Sequence, residues 1–244
     1  MVYGLIFAGG IGRRMKSTAI PKQFLPIHGK PVIFHVLEKF QHHDEIAGIV
    51  IVCVKPWIER LWEMVRSYEI TKVRHIVPGG RTGHDSIRLG LECMETFADG
   101  KDIVLIHDGV RPLITPELIT TNIQTVREYG SAITCEKVRE SVVESRDGIS
   151  IVHVPPRDNM YIAKAPQSFY FGAISKLYRD ALTDGRKSID SAHLCHMYHI
   201  PMHMIESPRH NMKITDAMDY FVCRTIYDAM DTEDGKAWRM DGGT

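Results

Sequence analysis

Val2-Tyr3-Gly4-Leu5-Ile6-Phe7 runs directly into Ala8-Gly9-Gly10-Ile11-Gly12-Arg13-Arg14-Met15, and Pro21-Lys22-Gln23-Phe24 follows a few residues later. The first six residues are apolar enough for a buried strand. The strand empties into a glycine turn loaded with cations. Glycines let backbone N–H groups approach phosphate oxygens closely, and Arg14 and Lys22 supply opposite charge, so the pairing suits a polyphosphate. The turn is not a Walker A loop, which needs Gly-Lys-Ser/Thr. It is not the GxGxxG dinucleotide fingerprint either, because Arg13 or Met15 fills the third glycine position. Glycines alone would equally fit a tight strand-to-helix turn. The flanking Arg14 and Lys22, with Pro21 fixing the backbone beside Lys22, favour phosphate.

Outward from this turn, strand-like and helix-like patterns alternate. Val2–Phe7, Ile46–Val54, Val73–Val77 and Ile103–Ile106 read as strands. Pro31–Phe40, Pro56–Tyr68, Thr82–Phe97 and Thr115–Tyr129 read as helices, with Thr115 an N-cap and Pro116 behind it. Such alternation predicts a doubly wound α/β fold, a mainly parallel twisted sheet with helices on both faces. After about residue 135 the pattern changes. Val138–Glu144 and Ile149–Val154 suggest two strands joined by Ser145-Arg146-Asp147-Gly148, a hairpin arm at about 136–156. A projecting arm suits dimerisation; a hairpin packed on its own domain is the open alternative. Helices over Gly172–Leu182, Ser188–Met197 and Thr215–Met230 follow, with a strand near Met202–Ile205. The reading is one domain over 1–230 and a polar tail over 231–244.

The chain has 244 residues, enough for a sizeable core, and 30 basic against 30 acidic side chains. Zero net charge argues against a general nucleic-acid or membrane-surface binder, so any cationic site must be local. The amino terminus does not read as a secretory leader, and no apolar run approaches the roughly 18 residues of a membrane span. Five scattered cysteines without a CxxC pair suggest a reduced, cytoplasmic protein.

Four further stretches carry chemistry. Ile103 to Pro112 ends an apolar strand in His107-Asp108-Gly109-Val110-Arg111. Open α/β sheets bind ligands at that end, and Asp108 suits Mg²⁺ unless it is a turn residue paired with Arg111. Gly79-Gly80-Arg81-Thr82-Gly83-His84-Asp85-Ser86 offers amides and a hydroxyl to a base edge, or is a plain helix cap. Pro155-Pro156-Arg157-Asp158-Asn159-Met160-Tyr161 precedes Ala165-Pro166-Gln167-Ser168-Phe169. Asn211-Met212-Lys213-Ile214-Thr215 lies near the end. Taken singly, Arg157 and Lys213 read as surface cations.

In order and spacing, AGGxGRRM, PKQFLPIxGKP, HDGVRP, RDNMY…APQSF and NMKIT resemble the cytidylyltransferases that activate small polyol phosphates, over about residues 2–230. The resemblance implies a Rossmann-like nucleotidyltransferase and attack of a polyol-phosphate oxygen on the α-phosphorus of CTP, with loss of pyrophosphate. It implies that Ala8, Gly9, Gly10 and Gly12 wrap the triphosphate while Arg14 and Lys22 stabilise the transition state. Gly80, Arg81 and Ser86 fall on the nucleoside side, and Asp108 holds Mg²⁺. Arg111, Arg157, Asp190 and Lys213 fall on the acceptor side, Arg157 and Lys213 as catalytic cations. The arm would build a homodimer and carry Arg157 toward the partner's site. The PKQFLPIHGKP and RDNMY…APQSF stretches lean toward ribitol-5-phosphate over 2-C-methyl-D-erythritol 4-phosphate.

Two positions depart from the pattern. Arg81 stands where an acidic residue is usual, and Ile189 replaces a threonine, leaving Ser188 or Ser191 as substitutes for its hydroxyl. His193, Cys195, His196, His199 and His203 invite a zinc reading, with a helix end as the alternative. A non-catalytic nucleotide-binding regulator would not need all five charges at Arg14, Lys22, Asp108, Arg157 and Lys213. A nicotinamide oxidoreductase would need an acidic ribose anchor where Lys55-Pro56 stands.

Overall fold

The structure is a computed structural model that describes residues 1–9, 20–230 and 232. In chain order it holds β1 (Val2–Ala8), β2 (Pro26–Ile27), β3 (Lys30–Pro31), α1 (Val32–Gln41), β4 (Ile46–Cys53), α2 (Ile58–Ser67), β5 (Val73–Pro78), α3 (Gly83–Met94), β6 (Ile103–Asp108) and α4 (Pro116–Tyr129). Then come β7 (Ser131–Lys137), β8 (Tyr161–Tyr170), α5 (Phe171–Thr183), α6 (Ser191–Met197), β9 (Met204–Glu206) and α7 (Ala217–Met230). Among the described residues seven strands form one sheet in the order β5-β4-β1-β6-β8-β7-β9, and β8 alone runs antiparallel to its neighbours.

Side-chain alternation along the central strands feeds two cores. Ile6, Ile49 and Ile51 point to the face covered by α1, α2 and α4. Leu5, Val50 and Val52 point to the face covered by α3 and α5. Both faces of β1 and β4 are therefore apolar, which explains why these strands read as continuous hydrophobic runs. A third, smaller core lies under α7, where Cys223 meets Ile27, Val32, Val110 and Ile214.

The chain leaves β1 toward β4 and β5 on one side and later returns to β6 on the other, so the sheet switches direction between β1 and β6. Phe7 pairs with Asp108 across that gap. A crevice opens at such a switch point, beyond the carboxyl ends of the strands.

The helix starts follow local chemistry. The Thr115 hydroxyl accepts the Leu118 amide at 3.2 Å with Pro116 in the first turn, and Gly130 closes α4 at a φ of 85°. The expected strands over Val138–Glu144 and Ile149–Val154 do not form. A single bridge pairs Glu144 with His153, while residues 139–154 are exposed throughout. A two-stranded ribbon with nothing to pack against is marginal. The turn chemistry inside it is nevertheless present, with Asp147 Oδ1 accepting the amides of Ile149 and Ser150 at 2.8 and 2.7 Å.

Candidate functional site

A cavity of about 620 Å³ occupies the switch-point crevice. Ala8 and Gly9 from the end of β1, Lys22 and Gln23, Lys55, Gly79 to Gly83, Ser86, Asp108 and Lys213 line it. Its floor is built by close approach. A Cβ on Gly9 would stand 3.0 Å from the Ser86 hydroxyl, and one on Gly79 would stand 3.2 Å from the Gly9 Cα. Only glycine lets these two loops touch. Ser86 fixes the second of them: its hydroxyl accepts the Gly80 amide at 3.1 Å and donates to the Thr82 carbonyl at 2.9 Å. Gln23, buried, donates to the Ala8 carbonyl at 2.6 Å and ties the lysine-bearing turn to β1. The Lys22 ammonium donates to the Ile214 carbonyl at 2.7 Å, joining the first and last motifs across the cavity.

Asp108 is the electrostatic centre. Its Oδ1 meets Lys213 Nζ at 2.5 Å and its Oδ2 meets Arg111 Nε at 2.8 Å. Burial acts to raise its pKa, but the charges of Lys213 and Arg111 outweigh burial and hold it at about 2. Arg111 is itself buried and also donates to the Asn211 carbonyl at 3.1 Å. Lys213 stands 5.8 Å from the centre of the Phe7 ring. The neighbouring His107 is fully enclosed, and burial pushes its pKa down to about 4. Its neutral ring donates through Nε2 to the Arg111 carbonyl at 3.2 Å.

A second cavity of about 260 Å³ adjoins the first and shares Phe7, Gly83, Asp108 and Lys213 with it. Arg111, Lys164, Gln167, Ile189, Asp190 and Ser191 also line it, with Ile87, Ile106, Ala163 and Ala165. Asp190 caps α6, accepting the His193 amide at 2.7 Å, and takes a bond from Gln167 Nε2 at 3.2 Å.

The structure thus brings Ala8, Gly9, Lys22, Gly80, Arg81, Ser86, Asp108 and Lys213 to one cavity, and Arg111 and Asp190 to the next. Gly10, Gly12 and Arg14 lie outside the described residues, as does all of the expected tail 231–244 except Thr232. Arg157 is not brought to either cavity of this chain: it sits exposed on a 3-10 turn, donating to the Arg139 carbonyl at 3.4 Å. Ile189 lines the second cavity although its side chain is largely in solvent. Ser191, offered as a substitute hydroxyl, is committed to Tyr178 at 3.0 Å, and Ser188 to His84 at 3.0 Å. Among the described residues, the histidine-rich stretch 193–203 included, no cluster of three His, Cys, Asp or Glu side chains is placed to hold a metal. Sequence reasoning passed over Gln23, Lys55, Lys164 and Gln167. Gln23 and Gln167 sit inside motifs already singled out and were legible there. Lys164 is a lone lysine in an apolar run and gave no signal.

The model of the 2-C-methyl-D-erythritol 4-phosphate cytidylyltransferase (IspD) family matches residues 2–228. A ribitol-5-phosphate cytidylyltransferase of Streptococcus agalactiae serotype Ia is 45% identical over 96% of this chain and 98% of its own length. A 2-C-methyl-D-erythritol 4-phosphate cytidylyltransferase of Syntrophotalea carbinolica is 36% identical over 93% of this chain and 96% of its own. The crystal structure of 4-diphosphocytidyl-2C-methyl-D-erythritol synthase from Anaerococcus prevotii superposes with a TM-score of 0.81 at 25% identity, covering 93% of this chain and 96% of that one.

Proposed function

The chain belongs to the 2-C-methyl-D-erythritol 4-phosphate cytidylyltransferase family, and from that premise we propose that it transfers a cytidylyl group from CTP to D-ribitol 5-phosphate, giving CDP-ribitol and pyrophosphate. One observation carries the reading: two adjoining cavities meet at a single buried carboxylate, Asp108, with Lys213 at the junction and Lys22 on the wall of the first cavity. Two phosphorylated substrates can therefore place their phosphates side by side. An acceptor phosphate oxygen forms a bond to the α-phosphorus while the bond to the β-phosphate oxygen breaks, and pyrophosphate leaves with that electron pair. No covalent protein intermediate is needed. Catalysis then rests on positioning and on preorganised positive charge, which Arg14, Lys22 and Lys213 supply.

Mg²⁺ fits this donor set. That ion is content with one or two carboxylates plus phosphate oxygens, and Asp108 is a carboxylate on the cavity wall. Both Asp108 oxygens carry cations, so Lys213, the more exposed of the two partners, is the one that yields Oδ1 and turns to substrate phosphate. Bound there, the ion would neutralise triphosphate charge. The preference for ribitol is supported by the higher identity to the ribitol-5-phosphate relative, 45% against 36%. A homodimer through the arm at about 136–156 and a cytoplasmic location belong to the same proposal; the five cysteines, none of them disulfide-bonded, support a reducing compartment.

Pyrophosphate release with CTP, measured with each acceptor in turn, tests the function. A higher kcat/KM for D-ribitol 5-phosphate than for 2-C-methyl-D-erythritol 4-phosphate is expected. The reverse order assigns the chain to isoprenoid precursors. CTP binding without product on either acceptor would make it a nucleotide-binding regulator instead.

A further inference from the structure

Strand β8 carries a bulge at the second cavity. Between the pairs Ile133↔Gln167 and Cys135↔Ala163, β7 contributes Thr134 alone, whereas β8 contributes Lys164, Ala165 and Pro166. Extra residues of this kind re-aim side chains beside active sites. Here Ala163, Lys164, Ala165 and Gln167 all reach the cavity wall.

Lys164 stands apart from the other polar groups of that wall. Lys213 and Arg111 are bound to Asp108 at the junction, where the reacting phosphates must lie. Asp190 and Gln167 are spent on each other and on the start of α6, with Gln167 Oε1 accepting the Ala192 amide at 2.9 Å. Lys164 is 9% exposed, and its one ion-pair partner among the described residues is Glu136 Oε2. An ammonium has three donors, so two remain for a ligand. His210 does not compete for the charge, since burial first, and the nearby Lys164 second, lower its pKa and keep it neutral. An acceptor whose phosphate sits at Asp108 extends its carbon chain away from the junction, along a wall where, among the described lining residues, Lys164 is the one cation not paired with Asp108. Hydroxyl oxygens are the matching acceptors.

We propose that Lys164, seated on the β8 bulge and held by Glu136, donates to the hydroxyl oxygens of the polyol chain and sets which polyol phosphate is used. The inference rests on the polyol-phosphate reading given above. Lys164→Met should raise the KM for D-ribitol 5-phosphate about tenfold to a hundredfold, the loss of one charged hydrogen bond. The KM for CTP should stay within about twofold, because the nucleotide cavity does not include Lys164. The single variant leaves the partly exposed Glu136 without its partner, so Glu136→Gln/Lys164→Met, which removes both charges, is measured beside it with its thermal midpoint. Lys164→Arg should recover part of the acceptor KM. An acceptor KM and an acceptor preference both unchanged in the folded double variant would overturn the role of Lys164 while wild-type turnover keeps the functional reading intact. Absence of turnover by the wild type on both acceptors would remove both.

Discussion

Asp108 and His107 are adjacent, both buried, and both built to fail in acid, but over different pH windows. His107 has its pKa pushed down to about 4, from 6.5 in the unfolded chain. The folded state therefore prefers the neutral ring. Its contribution is complete above pH 6.5 and is lost as pH falls toward 4. Between pH 7 and pH 5 that loss comes to about 2 kcal/mol. His107→Gln, which cannot titrate, should lose that much less stability over the same interval when urea midpoints are compared with wild type. Asp108 acts lower. Its pKa of about 2 lies below the ordinary 3.8, so its contribution survives to about pH 4 and disappears as pH falls further. Lys22 belongs to chemistry more than to folding. Its ammonium lines the cavity and touches the Ile214 carbonyl. Lys22→Ala should lower kcat by about 10²–10³, the usual cost of one transition-state donor, with little change in thermal midpoint. Near-normal turnover in steady-state assays would remove Lys22 from the mechanism. Arg14→Ala is expected to behave in the same way.

The contact between the loops after β1 and β5 depends on three small residues. The Ser86 hydroxyl stands 3.0 Å from a Cβ built on Gly9; without it the nearest atom is Gly79 Cα at 3.6 Å. Gly9→Ala should therefore cost roughly 1–3 kcal/mol through overpacking and weaken CTP binding. Ser86→Ala loses its own two hydrogen bonds, but it also removes the clashing atom. The double variant should be more stable than the sum of the two singles requires, by at least about 0.5 kcal/mol in a chemical-denaturation cycle. Additive effects would mean that the loops do not meet as described. The turn that supplies Gly9 was readable in the sequence because glycine and charge cluster after an apolar run. The strands β1, β4 and β6 were readable because they are buried along nearly their whole length, and β5 because Val73, Ile76 and Val77 still mark it. Thr115 was readable as a cap because hydroxyl chemistry at a helix start is local. Strand β8 was not, since Lys164 and Pro166 interrupt its pattern and its partners β6 and β7 lie far off in sequence. Strands β2 and β3 escaped as well. They are two residues each, joined by His28 and Gly29 with φ of 47° and 73°, and histidine is not a usual residue at that turn position. The second cavity was hidden for a related reason: its wall comes from β8, whose pairing sets it.

At the scale of the whole molecule, the arm segment at about 136–156 is the part that a single chain does not explain. Val143, Ile149, Ile151, Val152 and Val154 are each about half exposed or more, in a stretch whose regular pairing amounts to one bridge. Clustered apolar exposure of this kind marks a surface that another protein covers. A second copy of the same chain satisfies two demands at once. It supplies strands for a ribbon too thin to hold alone, and it gives Arg157, which follows the segment and lines neither cavity of its own chain, a site to reach. Wild-type protein should therefore sediment as a dimer. Ile149→Glu/Val154→Glu should sediment as a monomer that keeps the helical far-ultraviolet signal of the wild type, because neither side chain belongs to a core. If Arg157 acts across the interface, the monomer should also lose acceptor turnover while retaining CTP affinity. The strict test mixes two inactive proteins, Arg157→Ala and Lys22→Ala. In a mixed dimer that exchanges its arginines, one of the two sites holds an intact Arg157 and an intact Lys22, so activity should return toward a quarter of wild type at equal mixing, by the statistics of subunit pairing. Failure of the mixture to recover any turnover would confine Arg157 to its own chain.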